Sequence, residues 1–290
     1  MSDVTDQAAS LRKMVAAVRP PLRVIGVCSG KGGVGKTMVS ANLAVLAASQ
    51  GLRVLVIDAD LGLANVEVLY GIKPRYHLGH LLEGGVELGK MLATGPAGVK
   101  VLSGGSGLSQ LSRLDDVQKL RLITALDPME GQFDLVLLDI GAGIGENVLF
   151  FAGAAQEALV VLTPEPTSFT DAYAAIKVLW QQSGMRSFGI IVNEALHEQQ
   201  AREVFGRLTM VTDRFLSAQV RWLGWLPRDE NVHRAVMAQK PLVDLFPASP
   251  CARQLNVVAH TVLGEPAPAA IDGGLKILWQ RLLREAPRAR

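Results

Sequence analysis

Two lysines, four glycines and a threonine are concentrated in eight residues near the start of the chain. The segment Gly30-Lys31-Gly32-Gly33-Val34-Gly35-Lys36-Thr37 matches the pattern GxxxxGK[ST], between an apolar run and a helix-like segment. Glycines at this spacing let backbone N–H groups turn toward phosphate oxygens, and the helix that follows presents its positive end. The motif predicts a nucleotide site in which Lys36 reaches the β- and γ-phosphates and Thr37 ligates Mg²⁺.

Three aspartates follow or end apolar runs elsewhere in the chain. Asp58 and Asp60 come at the end of the run Arg53 to Ile57, and Asp139 ends the run Leu135 to Leu138. The carboxyl ends of parallel strands meet at one edge of a doubly wound sheet, so these carboxylates are expected beside the phosphate loop. Asp139 then holds Mg²⁺ through water, whereas two solvated loop acids are the alternative for Asp58 and Asp60.

The elements that must position these residues follow an alternating pattern. Seven short runs are continuously apolar and rich in β-branched residues, as expected for strands covered on both faces, and they cover 23–27, 53–57, 99–103, 134–139, 158–163, 187–193 and 220–226. Helical spacing lies between them at 37–50, 115–127, 168–183 and 198–216. The pattern predicts an α/β fold with a doubly wound, mostly parallel sheet, the architecture of a P-loop NTPase.

Composition excludes several classes of protein. The chain has 290 residues, of which 49% are hydrophobic and 19% charged, so a large core is expected and disorder is not. Its two cysteines, Cys28 and Cys251, are too few for a disulfide framework, a zinc site or an iron–sulfur site within one chain. The net charge is +2 and its basic excess lies in residues 272–290, so no specific nucleic acid partner is expected.

Both ends of the chain look like appendages of a body that spans residues 20–264. Residues 1–19 predict a helix that ends at Pro20 and Pro21, and 265–273 predicts a stiff linker. The N-terminus lacks the basic and apolar regions of a secretory signal, and no run predicts a membrane span. A cytoplasmic protein is expected.

The C-terminal segment 274–290 predicts a basic amphipathic helix. One stripe carries the apolar residues Leu275, Leu278, Trp279, Leu282 and Leu283, and the opposite side carries lysine and arginine. Such a helix suits the surface of an anionic membrane, and the alternative is a helix packed against its own body. Both interpretations are compatible if the helix packs against its own body in one nucleotide state and binds the membrane in the other.

Lys31 adds a second lysine inside the phosphate loop, and with it the chain resembles the MinD/ParA family of deviant Walker A ATPases over about residues 23–263. The resemblance implies an ATP-dependent homodimer in which Lys31 crosses to the nucleotide of the partner copy. It also implies that Asp60 orients the attacking water and that Asp58 lies near the magnesium shell. The chain departs from the family at Ile140, where a threonine or serine is usual.

The same resemblance implies where the adenine lies. Asn193 would contact the base, and the backbone from Pro227 through Arg228 to Asp229 would frame it. The residues after Asn193 do not complete the NKxD motif of GTPases, which favours ATP. Taken alone, Asn193 is more often a cap at the end of a strand. The family's dimer-side loop corresponds to residues 163–171, where Thr167 or Ser168 is expected to cap a helix.

Longer matches point to one group within the family, the flagellar regulators called FlhG, FleN or YlxH. They include DADLGLANVEVLYGI, GAGIGENV and an N-terminal DQAxxLR element that carries Asp6, Gln7, Leu11 and Arg12. Periodicity alone favours a helix over 6–18 that docks on its own body. The resemblance instead implies that this element docks on the GTPase FlhF and stimulates it.

The group implies a switch that sets the number and placement of flagella at the inner face of the cell membrane, with the cell pole as one candidate position. A flagellar transcription activator or a basal-body component would be a further partner. A division-site or DNA-partitioning ATPase, and a non-catalytic antiactivator of transcription, are the competing functions.

Overall fold

A single eight-stranded sheet forms the centre of the computed structural model, which describes residues 22–61, 65–84, 86–105, 114–126 and 131–264. The strands are β1 (Arg23–Ser29), β2 (Val54–Ala59), β3 (Ala93–Thr94), β4 (Lys100–Leu102), β5 (Leu135–Ala142), β6 (Glu157–Leu162), β7 (Ser187–Ala195) and β8 (Gln219–Pro227). Their order is β3-β4-β2-β5-β1-β6-β7-β8. All neighbours are parallel except the short edge strand β3, which runs antiparallel to β4.

Helices cover both faces of the sheet. They are α1 (Lys36–Ser49), α2 (Val66–Leu69), α3 (Leu78–Glu83), α4 (Leu88–Met91), α5 (Asp116–Leu126), α6 (Glu146–Gly153), α7 (Pro166–Gln182), α8 (Glu198–Phe215), α9 (Glu230–Met237), α10 (Leu242–Leu245) and α11 (Pro250–Gly264). One core lies between the sheet and helices α3 to α8, and a second core lies between the sheet and helices α1, α2 and α9 to α11. This confirms the doubly wound α/β fold.

All seven apolar runs are strands, and their observed ends differ from the predicted ends by at most three residues. Strand β5 continues past Asp139 to Ala142 because Ala142 pairs with Ser29. Helix α7 begins at Pro166, so the prediction that Thr167 or Ser168 caps it is wrong. Proline fits the first turn of a helix because its missing N–H has no partner there.

A buried ion cluster joins three strands at the amino edge of the sheet. Glu157, at the start of β6, is fully buried and accepts hydrogen bonds from the guanidinium groups of Arg23 and Arg221. Arg23 also donates to the carbonyl oxygen of Val262 near the end of α11. Charges buried this deeply must be paired, so the cluster fixes β1, β6, β8 and α11 relative to one another.

The two terminal segments lie outside the described residues. The predicted N-terminal helix (1–19), the linker (265–273) and the basic helix (274–290) therefore remain predictions. No helix in the described ranges is long and apolar enough to cross a membrane.

Candidate nucleotide-binding site

The loop between β1 and α1 has the geometry that the glycine-rich motif predicts. Gly35 lies at φ 90°, a left-handed conformation, and a Cβ there would lie 2.4 Å from Asn193 Nδ2. Only glycine satisfies both conditions. In the described structure no side chain caps the first amides of α1, and its first turn holds no acidic residue. The positive end of the helix dipole therefore faces the loop, as an anion site requires.

Asp139 joins the start of α1 to the sheet. The Thr37 hydroxyl donates to Asp139 Oδ2 at 2.7 Å, and Ser40 Oγ lies 2.8 Å from Asp139 Oδ1. Asp139 is 1% exposed and Lys36 is 8% exposed. Burial raises the pKa of Asp139, although the two hydroxyl groups and the charge of Lys36 act in the opposite direction.

Asp58 lies beside Asp139, because the two residues are directly paired on the neighbouring strands β2 and β5. Its carboxylate accepts the backbone N–H groups of Asp60, Asn65 and Val66 at 2.8 to 3.2 Å. Burial and the charge of Asp139 raise the pKa of Asp58, and these three hydrogen bonds partly offset that rise. Asp58 therefore also holds the start of α2 in place.

Asp60 completes the group of carboxylates. It lies over the end of β5, where a Cβ added to Gly141 would be 3.3 Å from Asp60 Oδ1. Burial raises its pKa, and the positive charge of Lys36 lowers it. The structure therefore brings together Lys36, Thr37 and all three predicted aspartates.

These groups fit a magnesium ion that is shared with a nucleotide. Carboxylates and hydroxyls are the hard oxygen donors that Mg²⁺ prefers. Burial is the largest cause of the raised pKa values of Asp58 and Asp139, and a bound cation would favour their charged forms. Within the described ranges no three acidic, imidazole or thiol groups converge to hold a metal by themselves. Mg²⁺ is usually bound through one or two carboxylates together with phosphate oxygens and water, and the groups present here fit that pattern.

Lys31 has a partner within its own chain. Its Nζ lies 2.6 Å from Glu165 Oε2 and 3.1 Å from Thr167 Oγ1, both at the start of α7. The side chain of Lys31 is 39% exposed and that of Glu165 is 62% exposed. An ion pair this exposed is weak and exchangeable, so Lys31 is held here without being locked.

A cavity of about 270 Å³ opens at the ends of β7 and β8. It is lined by the residues predicted for the base and by four others: Asn193, Glu194, Pro227, Arg228, Asp229, Glu230, Val232 and His233. Asn193 is 4% exposed and donates from Nδ2 to the carbonyl oxygen of Val34 at 2.8 Å. One side chain therefore touches the phosphate loop and lines the cavity.

Ile140 turns away from the site. Its side chain is fully buried in the core on the α6 side, and a Cβ added to Gly26 would lie 2.9 Å from Ile140 Cδ1. Side chains alternate along β5, so Asp139 faces the phosphate loop and its neighbour faces the core. With this geometry a hydroxyl at position 140 would also enter the core.

Sequence reasoning missed several residues of the site. Ser40 lies one helical turn after Lys36, and that spacing was the available signal. Glu165 was noted only as part of a loop, because nothing local predicts its contact with Lys31. Glu194 and His233 come from separate elements that only the tertiary fold brings to the cavity.

The two cysteines do not form a shared site. Cys28 lies in the core on the α6 side of the sheet and Cys251 in the core on the other side. Burial raises the pKa of both thiols to about 12. Because the two thiols lie on opposite faces of the sheet, they cannot both ligate one iron–sulfur cluster within this chain.

Asp229 stabilises the cavity wall through its charge. Burial raises its pKa, but hydrogen bonds from Asn231, Cys251 and Ser249 outweigh this effect and the pKa is lowered. Oδ1 accepts from the N–H of Asn231 at 2.9 Å, and Oδ2 accepts from the N–H of Cys251 at 3.1 Å. The carboxylate thus caps both α9 and α11.

Replacing Asp229 by asparagine should lower the free energy of unfolding at pH 7 by about 1–2 kcal/mol, because an amide has one oxygen and cannot accept from both Asn231 and Cys251, so one charge-assisted hydrogen bond is lost. A lowered pKa gives stability that is present above the ordinary aspartate pKa and is lost as the pH falls through the folded-state pKa. The difference from the unmodified protein should therefore shrink below about pH 4. Urea unfolding at pH 7 and pH 3 measures this.

The exposed Asp213 on α8 provides the matched control, and Asp213→Asn should leave unfolding unchanged at both pH values. If Asp229→Asn lowered the free energy of unfolding as much at pH 3 as at pH 7, the shape of the side chain, and not its charge, would stabilise the cap.

Comparison with known proteins agrees with this geometry. The family model described as ParA, NUBPL iron-transfer P-loop NTPase, matches residues 22–263. The antiactivator FleN of Pseudomonas aeruginosa is 43% identical over 264 residues, which cover 91% of this chain and 94% of FleN. The flagellum site-determining protein YlxH of Helicobacter pylori is 30% identical over 266 residues, which cover 90% of each protein.

A solved structure extends the likeness to three dimensions. The septum site-determining protein MinD of Pyrococcus horikoshii, complexed with Mg-ADP, has a TM-score of 0.71 and 25% sequence identity, covering 86% of this chain and 100% of that one. The phosphate loop, the sheet order and the match over 22–263 agree, and the chain is a member of the ParA/MinD family of P-loop ATPases.

Proposed function

We propose that this protein is an ATP-dependent dimerising switch that controls the number and placement of flagella. The 43% identity to FleN over 91% of the chain carries the proposal. The similarity to YlxH, whose name describes a flagellum site-determining protein, supports the same process. The nucleotide is ATP with Mg²⁺, and the protein acts as a homodimer.

The described side chains support a division of labour in ATP hydrolysis. Lys36 and the first amides of α1 hold the β- and γ-phosphates. Thr37 and Asp139 would hold the magnesium ion, with Asp58 beside it, and a bound ion neutralises charge on the phosphate oxygens. Asp60, half-buried near Lys36, orients the attacking water.

The contact of Lys31 with Glu165 and Thr167 supports a switch between monomer and dimer. In one chain Lys31 is held by an exposed ion pair at the start of α7. When two ATP-bound copies meet, Lys31 leaves these partners and reaches the phosphates of the other copy. A cation supplied across an interface stabilises charge on the phosphoryl group as an arginine finger does.

Two substitutions separate dimerisation from hydrolysis. Lys31→Ala should remain monomeric with ATP, because the cation that crosses the interface is gone. Asp60→Ala should bind ATP and dimerise but lose most of its hydrolysis, because the water is no longer oriented. Light scattering with and without ATP, together with a phosphate-release assay, measures both properties.

Lys177→Ala, an exposed lysine on α7, serves as the control and should behave as the unmodified protein in both assays. Normal dimerisation of Lys31→Ala would rule out a role for Lys31 across the interface.

A second candidate function is an antiactivator that uses ATP only to shape a binding surface. The name of FleN, an antiactivator, favours it. The Asp60→Ala variant separates the two: a regulator that needs only the ATP-bound dimer keeps its effect on flagellar number, whereas a cycling switch loses it.

Membrane binding is assigned to residues 274–284, outside the described part of the chain. Vesicles of anionic lipid should bind the protein more strongly with ATP than with ADP, because two helices on a dimer add avidity. Trp279→Glu should abolish binding, since it places a charge on the inserted face, and Trp279→Phe should preserve it. Vesicle sedimentation measures this, and a chain truncated at Asp272 that still sediments would refute the assignment.

The N-terminal DQAxxLR element is assigned to the partner GTPase FlhF. A peptide of residues 1–20 should accelerate GTP hydrolysis by FlhF without the ATPase body, because a glutamine amide can orient water beside a γ-phosphate. Gln7→Ala should reduce the acceleration more than the binding, and Arg12→Ala should do the reverse. A peptide that binds without changing the GTPase rate would be only a tether.

A further inference from the structure

Thr163, just after the end of β6, holds a buried hydroxyl group without a hydrogen bond. The residue is 6% exposed, and Oγ1 has no hydrogen-bonding partner in the described structure. Its backbone N–H donates to Ser168 Oγ at 2.9 Å, so the unpaired group is the side-chain hydroxyl. An unsatisfied buried polar group costs free energy, and natural proteins contain few of them.

The alternation of side chains places this hydroxyl on the phosphate-loop side of the sheet. On β6, Ala158, Val160 and Leu162 belong to one core, whereas Leu159 and Val161 belong to the core on the α1 side. Thr163 continues the second series. It therefore lies on the face against which α1 packs.

Asn193 is its neighbour on the adjacent strand. Leu162, the last residue of β6, pairs with Val192, so Thr163 is expected beside Asn193, the next residue along β7. Asn193 also continues the series on the α1 side of β7, after Ile191. Its amide reaches Val34 of the phosphate loop through Nδ2 and lines the base cavity.

We propose that Thr163 is a positioning residue for the nucleotide: in the nucleotide-bound protein its hydroxyl donates to Asn193 Oδ1 and fixes the orientation of that amide. This rests on the proposed nucleotide site. An amide held only through Nδ2 can turn about its side-chain bonds, and a donor on Oδ1 removes that freedom. This hydrogen bond gives the Thr163 hydroxyl the partner that it lacks here, so forming the bond should strengthen nucleotide binding.

The test compares Thr163→Val, which keeps the shape and removes the hydroxyl, with Thr163→Ser, which keeps the hydroxyl. Titration calorimetry with Mg-ATP and thermal unfolding without nucleotide are measured on the full chain. Thr163→Val should keep or raise the melting temperature without nucleotide and weaken ATP binding about three- to tenfold, the effect of one hydrogen bond. Thr163→Ser should retain the affinity.

A double-mutant cycle then tests the partner. In an Asn193→Ala background Thr163→Val should cause no further loss of ATP affinity, because the acceptor is already gone. Thr212→Val, a buried threonine on α8 whose hydroxyl lies 3.0 Å from the Leu208 carbonyl oxygen, should leave ATP affinity unchanged.

Unchanged ATP affinity in Thr163→Val would overturn the inference, and so would an equal loss in both backgrounds. A lower melting temperature without nucleotide combined with unchanged affinity would assign the hydroxyl a structural role instead. Failure of the unmodified chain to bind Mg-ATP would refute the proposed nucleotide site itself, and this result is distinct from the others.

Discussion

The balance of charge around Asp58 and Asp139 determines how the site is built. These two carboxylates are directly paired on neighbouring strands and almost completely buried. Burial and mutual repulsion both disfavour their charged forms. Lys36, two hydroxyl groups on α1 and three backbone N–H groups offset this cost, and together they fix the start of α1 and the loop before α2.

A cation and a polyphosphate complete that balance. The phosphate loop presents N–H groups and Lys36 to an anion, and the buried carboxylates opposite them present oxygen atoms to a cation. A magnesium nucleotide supplies both signs at once. Asn193 links the loop to the neighbouring cavity, because its amide contacts the loop at Val34 and lines the cavity at the ends of β7 and β8.

Local patterns in the sequence predict the strands, the phosphate loop and the three aspartates, because each depends on a short run of residues. Continuous apolar runs identify strands that are buried on both faces, and the register of a parallel sheet then brings their ends together. The contact between Lys31 and Glu165 could not be predicted, since 134 residues separate them and only the packing of α7 joins them. The start of α7 was missed because Pro166 fits the first turn better than a hydroxyl cap two residues later.

The ion cluster at the amino edge lies beside both ends of the described body. β1 begins at Arg23, one residue after the described part of the chain begins, and α11 ends two residues after Val262, whose carbonyl oxygen accepts from Arg23. Both ends therefore lie at the amino edge, and the carboxylates lie at the carboxyl edge. Helices such as α1 and α7 run from the carboxyl edge to the amino edge, and Lys31 meets Glu165 at the start of α7. Glu157 is fully buried, whereas the ion pair between Lys31 and Glu165 is exposed, so the contact at the start of α7 is the easier of the two to rearrange.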